Sequence, residues 1–456
     1  MGQSTMMSVM CCTRHLRSAT TVALTLAATA CGGSEPPPVM APTPAPSAPP
    51  VASATPAPEL PDAQAAADAA PPPPAVQVTP PSPDGNPFAG ARLATDAAFV
   101  AKVAAAAKAD PADAALLKKV AAFPTAVWID SIKSVARIPK ALDAAAVLPK
   151  KPAADKDAKA DKAEKKSEEP VVSVFVIYNL PERDCSAAAS AGELSIAKNG
   201  EKRYAAEFID KIAAAFKAHP KQRIVAIVEP DSLANLATNM NQPKCAAAAP
   251  IYQHSIAYAV KTLSMPNVSI YLDAAHAGWL GWDGNRSKIA KIFSEVLAEA
   301  GGADKIRGFA TNVANYDSLR GGDLPKLAPS LSCPDELSYI QKLDEDLTTV
   351  GITGKGFLVD TSRNGREGIR TSGGSWCNVK GAGLGERPQA NPTPLVDAYY
   401  WVKPPGESDG AADPKASGFD KSCGPDAHDA APGAPHAGDW FGAYFLELAK
   451  NANPPL

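Results

Sequence analysis

The sequence predicts an α/β fold in which seven parallel strands close, wholly or nearly, into a barrel. Three observations carry that reading. Seven short runs rich in β-branched and aromatic residues follow Gly85, at 125–130, 172–178, 223–229, 268–274, 306–312, 356–362 and 397–403. They are mostly apolar, as strands buried on both faces should be. Between most of them, apolar residues recur at three- and four-residue spacing, which implies crossover helices and hence a parallel sheet. No Gly-x-Gly-x-x-Gly string and no Gly-rich phosphate loop occurs, so a dinucleotide-binding sheet fits less well than a barrel.

Taken in order, the chain opens on an export signal. Arg14, His15 and Arg17 precede an apolar run at 19–30, too short to span a bilayer. The run ends in Ala28, Thr29, Ala30 and Cys31, and residues 1–31 resemble a bacterial lipoprotein signal whose cysteine is lipidated. Ala28 stands where leucine is usual, so ordinary cleavage is the alternative. Either route delivers the protein to an oxidising compartment. Residues 32–85 form a Pro/Ala-rich linker. Positions 34–83 hold 18 of the 45 prolines and cannot bury enough apolar surface to order themselves. A single domain is expected over 86–456. A helix at 97–121 leads into the first strand, and a Lys/Asp/Glu/Ala tract at 151–169 is a charged insertion. Helices are expected at 204–218, 252–263, 288–300 and 335–347. A net charge of -3 argues against a nucleic-acid partner. Six histidines without ligand spacing argue against a metal site, and no cofactor is expected.

Chemistry concentrates at the strand ends. Acidic residues stand at the ends of six of the seven runs, among them Asp130, Asp184, Glu229, Asp231, Asp273, Asp360 and Asp409. One acidic turn residue means little, but a barrel gathers all these ends on one face. Ser232 and Ser362 lack a nucleophile-elbow context. Trp128, Trp279, Trp282 and Trp376 accompany the carboxylates. Aromatic faces beside acids suit sugar rings, and paired carboxylates are the apparatus of glycoside hydrolysis.

Longer strings sharpen this. They are Tyr-Asn-Leu-Pro-Glu-Arg-Asp-Cys at 178–185, Glu-Pro-Asp-Ser-Leu-Ala-Asn at 229–235, and Leu-Asp-Ala-Ala-His-Ala-Gly-Trp-Leu-Gly-Trp at 272–282. Asn-Val-Ala-Asn-Tyr at 312–316, Asp-Thr-Ser-Arg-Asn-Gly at 360–365, Trp-Cys-Asn at 376–378 and Lys-Pro-Pro-Gly-Glu-Ser-Asp-Gly at 403–410 follow. Together they resemble glycoside hydrolase family 6, the inverting cellulases. The resemblance implies a distorted seven-stranded barrel and hydrolysis of β-1,4-glucosidic bonds in cellulose or cello-oligosaccharides. It assigns Asp231 as general acid, Asp184 as the aspartate that raises the acid's pKa and steadies developing charge, and Asp409 as candidate base. Tyr178, Ser190 and Arg183 would stand at the cleavage point. Trp128, Asp130, His276, Trp279, Trp282, Asn312, Trp376, Lys403 and Glu407 would bind sugar. Two departures are Asn179, where the family has aspartate, and Ser408, where cysteine is frequent.

The resemblance also pairs Cys185 with Cys245 and Cys377 with Cys423, leaving Cys333 over, as a free buried thiol or an extra contact. Long segments at 317–335 and 410–438 match the loops that roof the groove in cellobiohydrolases, which implies release of cellobiose from chain ends by a monomer. An endo-acting glucanase with an open cleft is the alternative. A non-catalytic carbohydrate-binding surface lipoprotein, held to the membrane through lipid on Cys31, is a third reading.

Overall fold

A computed structural model describes residues 85–147 and 169–456. The leader, the linker up to residue 84 and the charged tract up to residue 168 lie outside these. Among the described residues, no helix is long and apolar enough to cross a membrane.

The strands are β1 (Arg92–Leu93), β2 (Val127–Ile129), β3 (Val171–Ile177), β4 (Arg223–Val228), β5 (Val268–Asp273), β6 (Gly308–Thr311), β7 (Gly356–Asp360), β8 (Gln389–Thr393) and β9 (Val396–Tyr400). The order is β1-β3-β4-β5-β6-β7-β9-β8, with β2 also on β3. All seven expected strands are present and parallel to one another. Both β1 and β2 lie along β3. The first pairs with its start (Arg92 with Val171) and the second with its end (Ile129 with Ile177). The ring is completed between β2 and β9 by a single bridge, Thr125 to Trp401, where the Ala126 amide donates to the Trp401 carbonyl at 3.2 Å. The fold is thus a strongly curled sheet, a distorted barrel.

Two strands escaped the sequence reading. β1 is two residues long, below any periodicity signal. β8 contains Pro392 and a left-handed Asn391 (φ 49°), so it serves only as an antiparallel edge on β9. The helix expected at 97–121 is two helices, Ala97–Ala109 and Ala114–Val120. Pro111 lacks the amide that a continuous helix needs. The helix expected from residue 252 begins earlier, as Pro243–Leu263.

Alternate side chains of β3 show why the strands read as continuous apolar runs. Val174 and Val176 pack inside the ring, while Phe175 and Ile177 pack under the helices. Phe88 fills the interior with Tyr271 and Tyr400, ring centres 6.4 and 6.0 Å away. Each such side chain contributes about 1.5–3 kcal/mol on burial. Both expected disulfides are present, Cys185–Cys245 and Cys377–Cys423. Cys333 is unpaired and buried, its sulfur 3.2 Å from an Arg286 nitrogen.

Candidate active site

The C-terminal strand ends open into a cavity of about 850 Å3, a size typical of ligand sites. Trp128 and Asp130 reach it from β2, and Tyr178, Arg183, Asp184 and Ser190 from the loop after β3. Asp231 follows β4, and His276, Trp279 and Trp282 follow β5. Trp376 comes from the segment after β7, and Lys403, Glu407 and Asp409 from the one after β9. One expected lining residue is elsewhere. Asn312 is fully buried and its amide is spent on the chain, donating to the Asp360 carbonyl at 2.9 Å and accepting from the Asp317 amide at 3.1 Å. The chain turns through left-handed conformations at Asn312 and Ala314, and Asn315 lines the wall instead.

Several acidic strand-end residues serve the backbone. Glu229 accepts from the amides of Asn179 (3.1 Å) and Leu180 (3.2 Å) and from the Tyr204 hydroxyl (2.8 Å). Asp273 accepts from the amides of Asp231 and Ala275, each at 3.1 Å. Asp360 accepts from the amides of Ala314, Ser362, Val402 and Lys403 at 2.9–3.2 Å. Each carboxylate pins the loop of a neighbouring strand, and charge-assisted bonds of this kind are the stronger sort. Burial pushes Glu229 and Asp273 up to about 7 against these amides.

Arg183 clasps the loop after β3. Its guanidinium lies 4.2 Å from the Tyr178 ring centre, and it donates to the carbonyls of Tyr178, Ser190 (2.8 Å) and Asp130 (2.9 Å). The Tyr178 hydroxyl donates to Asp184 at 2.7 Å. Trp128 stands edge-on to Tyr178 and donates to the Val402 carbonyl at 2.9 Å. The Asn315 carbonyl oxygen accepts from the Tyr316 amide, so its NH2 faces His276 Nε2 at 2.9 Å. His276 therefore carries its proton on Nδ1 and donates to Asp317 at 2.6 Å.

The carboxyls on the rim differ in charge environment. Asp231 is held well above the usual carboxylate range, first by burial and then by the negative charges of Asp184, Asp273 and Asp409; Lys403 opposes them. No described residue donates a hydrogen bond to its carboxyl. Burial also raises Asp184, moderated by the Tyr178 hydroxyl, Arg183 and Ser190. Burial would raise Asp409, but Arg363 and Lys403 outweigh it and hold that carboxyl below its ordinary value. Asp409 Oδ2 accepts from Arg363 (2.7 Å), the Tyr316 hydroxyl (3.0 Å) and the Asn378 amide (2.9 Å), while Oδ1 lies 3.3 Å from Lys403.

The structure brings His276, Asp317 and Glu336 together, buried, with ligand atoms within 4.8 Å. Arg370 supplies a cation 2.7 Å from Asp317, and His276 Nδ1 is engaged with the same carboxylate, whereas Glu336 Oε2 is buried without a hydrogen-bond partner among the described residues. Sequence reading missed Asn315, Tyr316, Arg363 and Arg370 as functional supports. The first three lie inside the strings quoted above, so strand-end position could have marked them. Arg370 has no such signal.

The segment after β7 ties the long loops together. Arg370 bonds Asp317 and Asp323 on one side (2.7 and 2.8 Å). Thr371 and Ser375 donate to Asp429 on the other, the Thr371 amide at 2.7 Å. Gly373, Gly374 and Trp376 between them line the cavity. Across the rim, the Ala188 amide donates to Asp420 at 3.0 Å.

A distorted barrel with a tryptophan-lined cavity, and at its strand ends carboxyls held in opposite charge environments, defines a glycoside hydrolase. Comparison with known proteins fixes which kind. The profile of glycosyl hydrolases family 6 matches residues 88–452, and the chain belongs to that family. It is 42% identical to exoglucanase 3 of Agaricus bisporus over 376 residues, 82% of this chain and 80% of that one. It is 40% identical to a Fusarium oxysporum protein provisionally named endoglucanase type B, over 81% of this chain and 77% of the other. Its fold matches cellobiohydrolase II of Humicola insolens, solved with glucose and cellotetraose, with TM-score 0.74 and 38% identity over 82% of this chain and 100% of that one.

Proposed function

We infer that this enzyme, an inverting hydrolase of β-1,4-glucan, works from chain ends and releases mainly cellobiose. The observation that carries the exo reading is the tie of residues 370–376 to both long loops, which supports a roofed groove. A roof holds a threaded chain and leaves the end as the easy point of entry. Asp231, protonated at rest, donates to the departing glycosidic oxygen. Asp184 keeps that proton in place and faces the positive charge that develops at the anomeric carbon. Tyr178 and Ser190 set the ring and the incoming water. Asp409 is the base. Its ion pairs make it a weak acceptor, so it draws the proton through intervening water rather than by direct contact. Trp128, Trp279, Trp282 and Trp376 are the stacking faces, with His276, Lys403, Glu407 and Asp130 for hydroxyls. The enzyme is exported, consistent with its two disulfides, and acts as a monomer held at the cell surface through Cys31.

Product analysis on a soluble cellulose derivative tests this. The expected outcome is cellobiose as dominant product, with little early loss of viscosity. A rapid fall in viscosity would assign the enzyme to endo action instead. NMR of the first product should show the α anomer.

A further inference from the structure

The outer wall of the barrel carries a second cavity, about 450 Å3, that the reaction does not use. It lies between two helical runs. One is continuous from Gly200 to Lys217, but its middle part, Tyr204–Ile209, is π-helical. The other is Pro243–Leu263. A π stretch disturbs the regular helix surface, and such stretches recur at functional sites. Here a notch opens beside it.

Three features define what would fit. The notch is lined by Ser255, whose hydroxyl is buried and has no hydrogen-bond partner among the described residues. A buried hydroxyl left unpaired costs about 1–3 kcal/mol, so a ligand that satisfied it would gain. Tyr258 also lines the notch, 37% exposed, and its hydroxyl donates to Asp210 at 2.6 Å, which holds the ring as a fixed apolar face. Around them stand both signs of charge: His254 paired with Glu299 at 2.7 Å, Lys261 and Glu201. A mixed set of this kind selects neither anions nor cations. It offers donors and acceptors next to an aromatic face, which suits a neutral ring rich in hydroxyls.

We propose that this notch is a second, non-catalytic binding site for one or two pyranose units of β-1,4-glucan. The proposal rests on the substrate reading above. Cys245, near the start of the same helix, is bonded to Cys185 beside Asp184. Tyr258 lies thirteen residues further on, about 20 Å along the helix axis. The notch is therefore separate from the cleavage site and would keep a neighbouring stretch of polymer close to it.

The test is calorimetric titration of the full chain carrying Asp231→Asn with cellotetraose. Two binding events are expected. Adding Tyr258→Ala should weaken one of them by about tenfold, the equivalent of 1.4 kcal/mol, and leave the other unchanged. Tyr258→Phe should keep both, and Ser255→Ala should weaken the same event as Tyr258→Ala. In the otherwise intact enzyme, Tyr258→Ala should leave turnover of short cello-oligosaccharides unchanged, which checks the fold. A single event, or a second one indifferent to Tyr258→Ala and Ser255→Ala, would overturn the proposal while sparing the substrate reading. Absence of any event would overturn both.

Discussion

Asp231 and Asp409 line one cavity, yet their surroundings push them in opposite directions. Asp231 faces three other carboxyls and one ammonium, and burial raises it further. Asp409 is buried as well, but a guanidinium and an ammonium reverse the effect, and three donors fill one of its oxygens. Burial alone therefore does not set the state of a carboxyl here. The sign of the nearest charges decides it, and one cavity holds an acid and a carboxylate at the same pH.

That contrast can be broken from either side. Replacing the proposed acid, Asp231→Asn, should lower kcat by about 10²–10⁴ with little change in binding of cello-oligosaccharides. A carboxyl whose folded pKa is raised takes stability away as pH rises from its unfolded value through its folded one. The same variant should therefore melt higher than the parent at neutral pH, by thermal unfolding. Arg363→Met attacks the other side. It leaves Asp409 buried with only Lys403 as counter-charge, and breaking a buried pair costs about 3–5 kcal/mol. The depressed carboxyl of Asp409 contributes stability above its unfolded pKa and loses it as pH falls through the folded value. The deficit of Arg363→Met should thus be full at neutral pH and shrink in acid, as denaturant titration at several pH values would report. The gentlest change is Asp184→Asn. It removes the negative charge that helps keep Asp231 protonated, so the alkaline limb of the rate profile should move to lower pH. An unmoved limb would show that Asp184 does not act on the acid.

The sequence carried most of this, but unevenly. The seven parallel strands were legible because each is buried on two faces and so reads as an unbroken apolar run. β8 was not, since a proline and a left-handed asparagine disguise an edge strand. The cavity residues were legible through their motifs, apart from Asn312, because two asparagines three residues apart differ only in how the turn between them is wound. Acidic strand ends mixed two populations. Asp184, Asp231 and Asp409 line the cavity, whereas Glu229, Asp273 and Asp360 spend their oxygens on backbone amides. Residue type cannot separate these uses, because both need a carboxyl at the same place. Partnership settles it, and the cations that Arg363 and Arg370 bring to Asp409 and Asp317 come from 46 and 53 residues away along the chain.

The left-handed turns at Glu229, Asp231, Ala275, Asn312 and Ala314, with φ between 51° and 62°, limit how this rim can be remodelled. An L-residue with a branched Cβ is barred from that conformation, whereas asparagine, aspartate and glycine adopt it readily. A randomised library at these positions should return no valine, isoleucine or threonine even where the side chain touches no ligand. Changes of specificity should then accumulate at the tryptophans, none of which sits in a left-handed conformation.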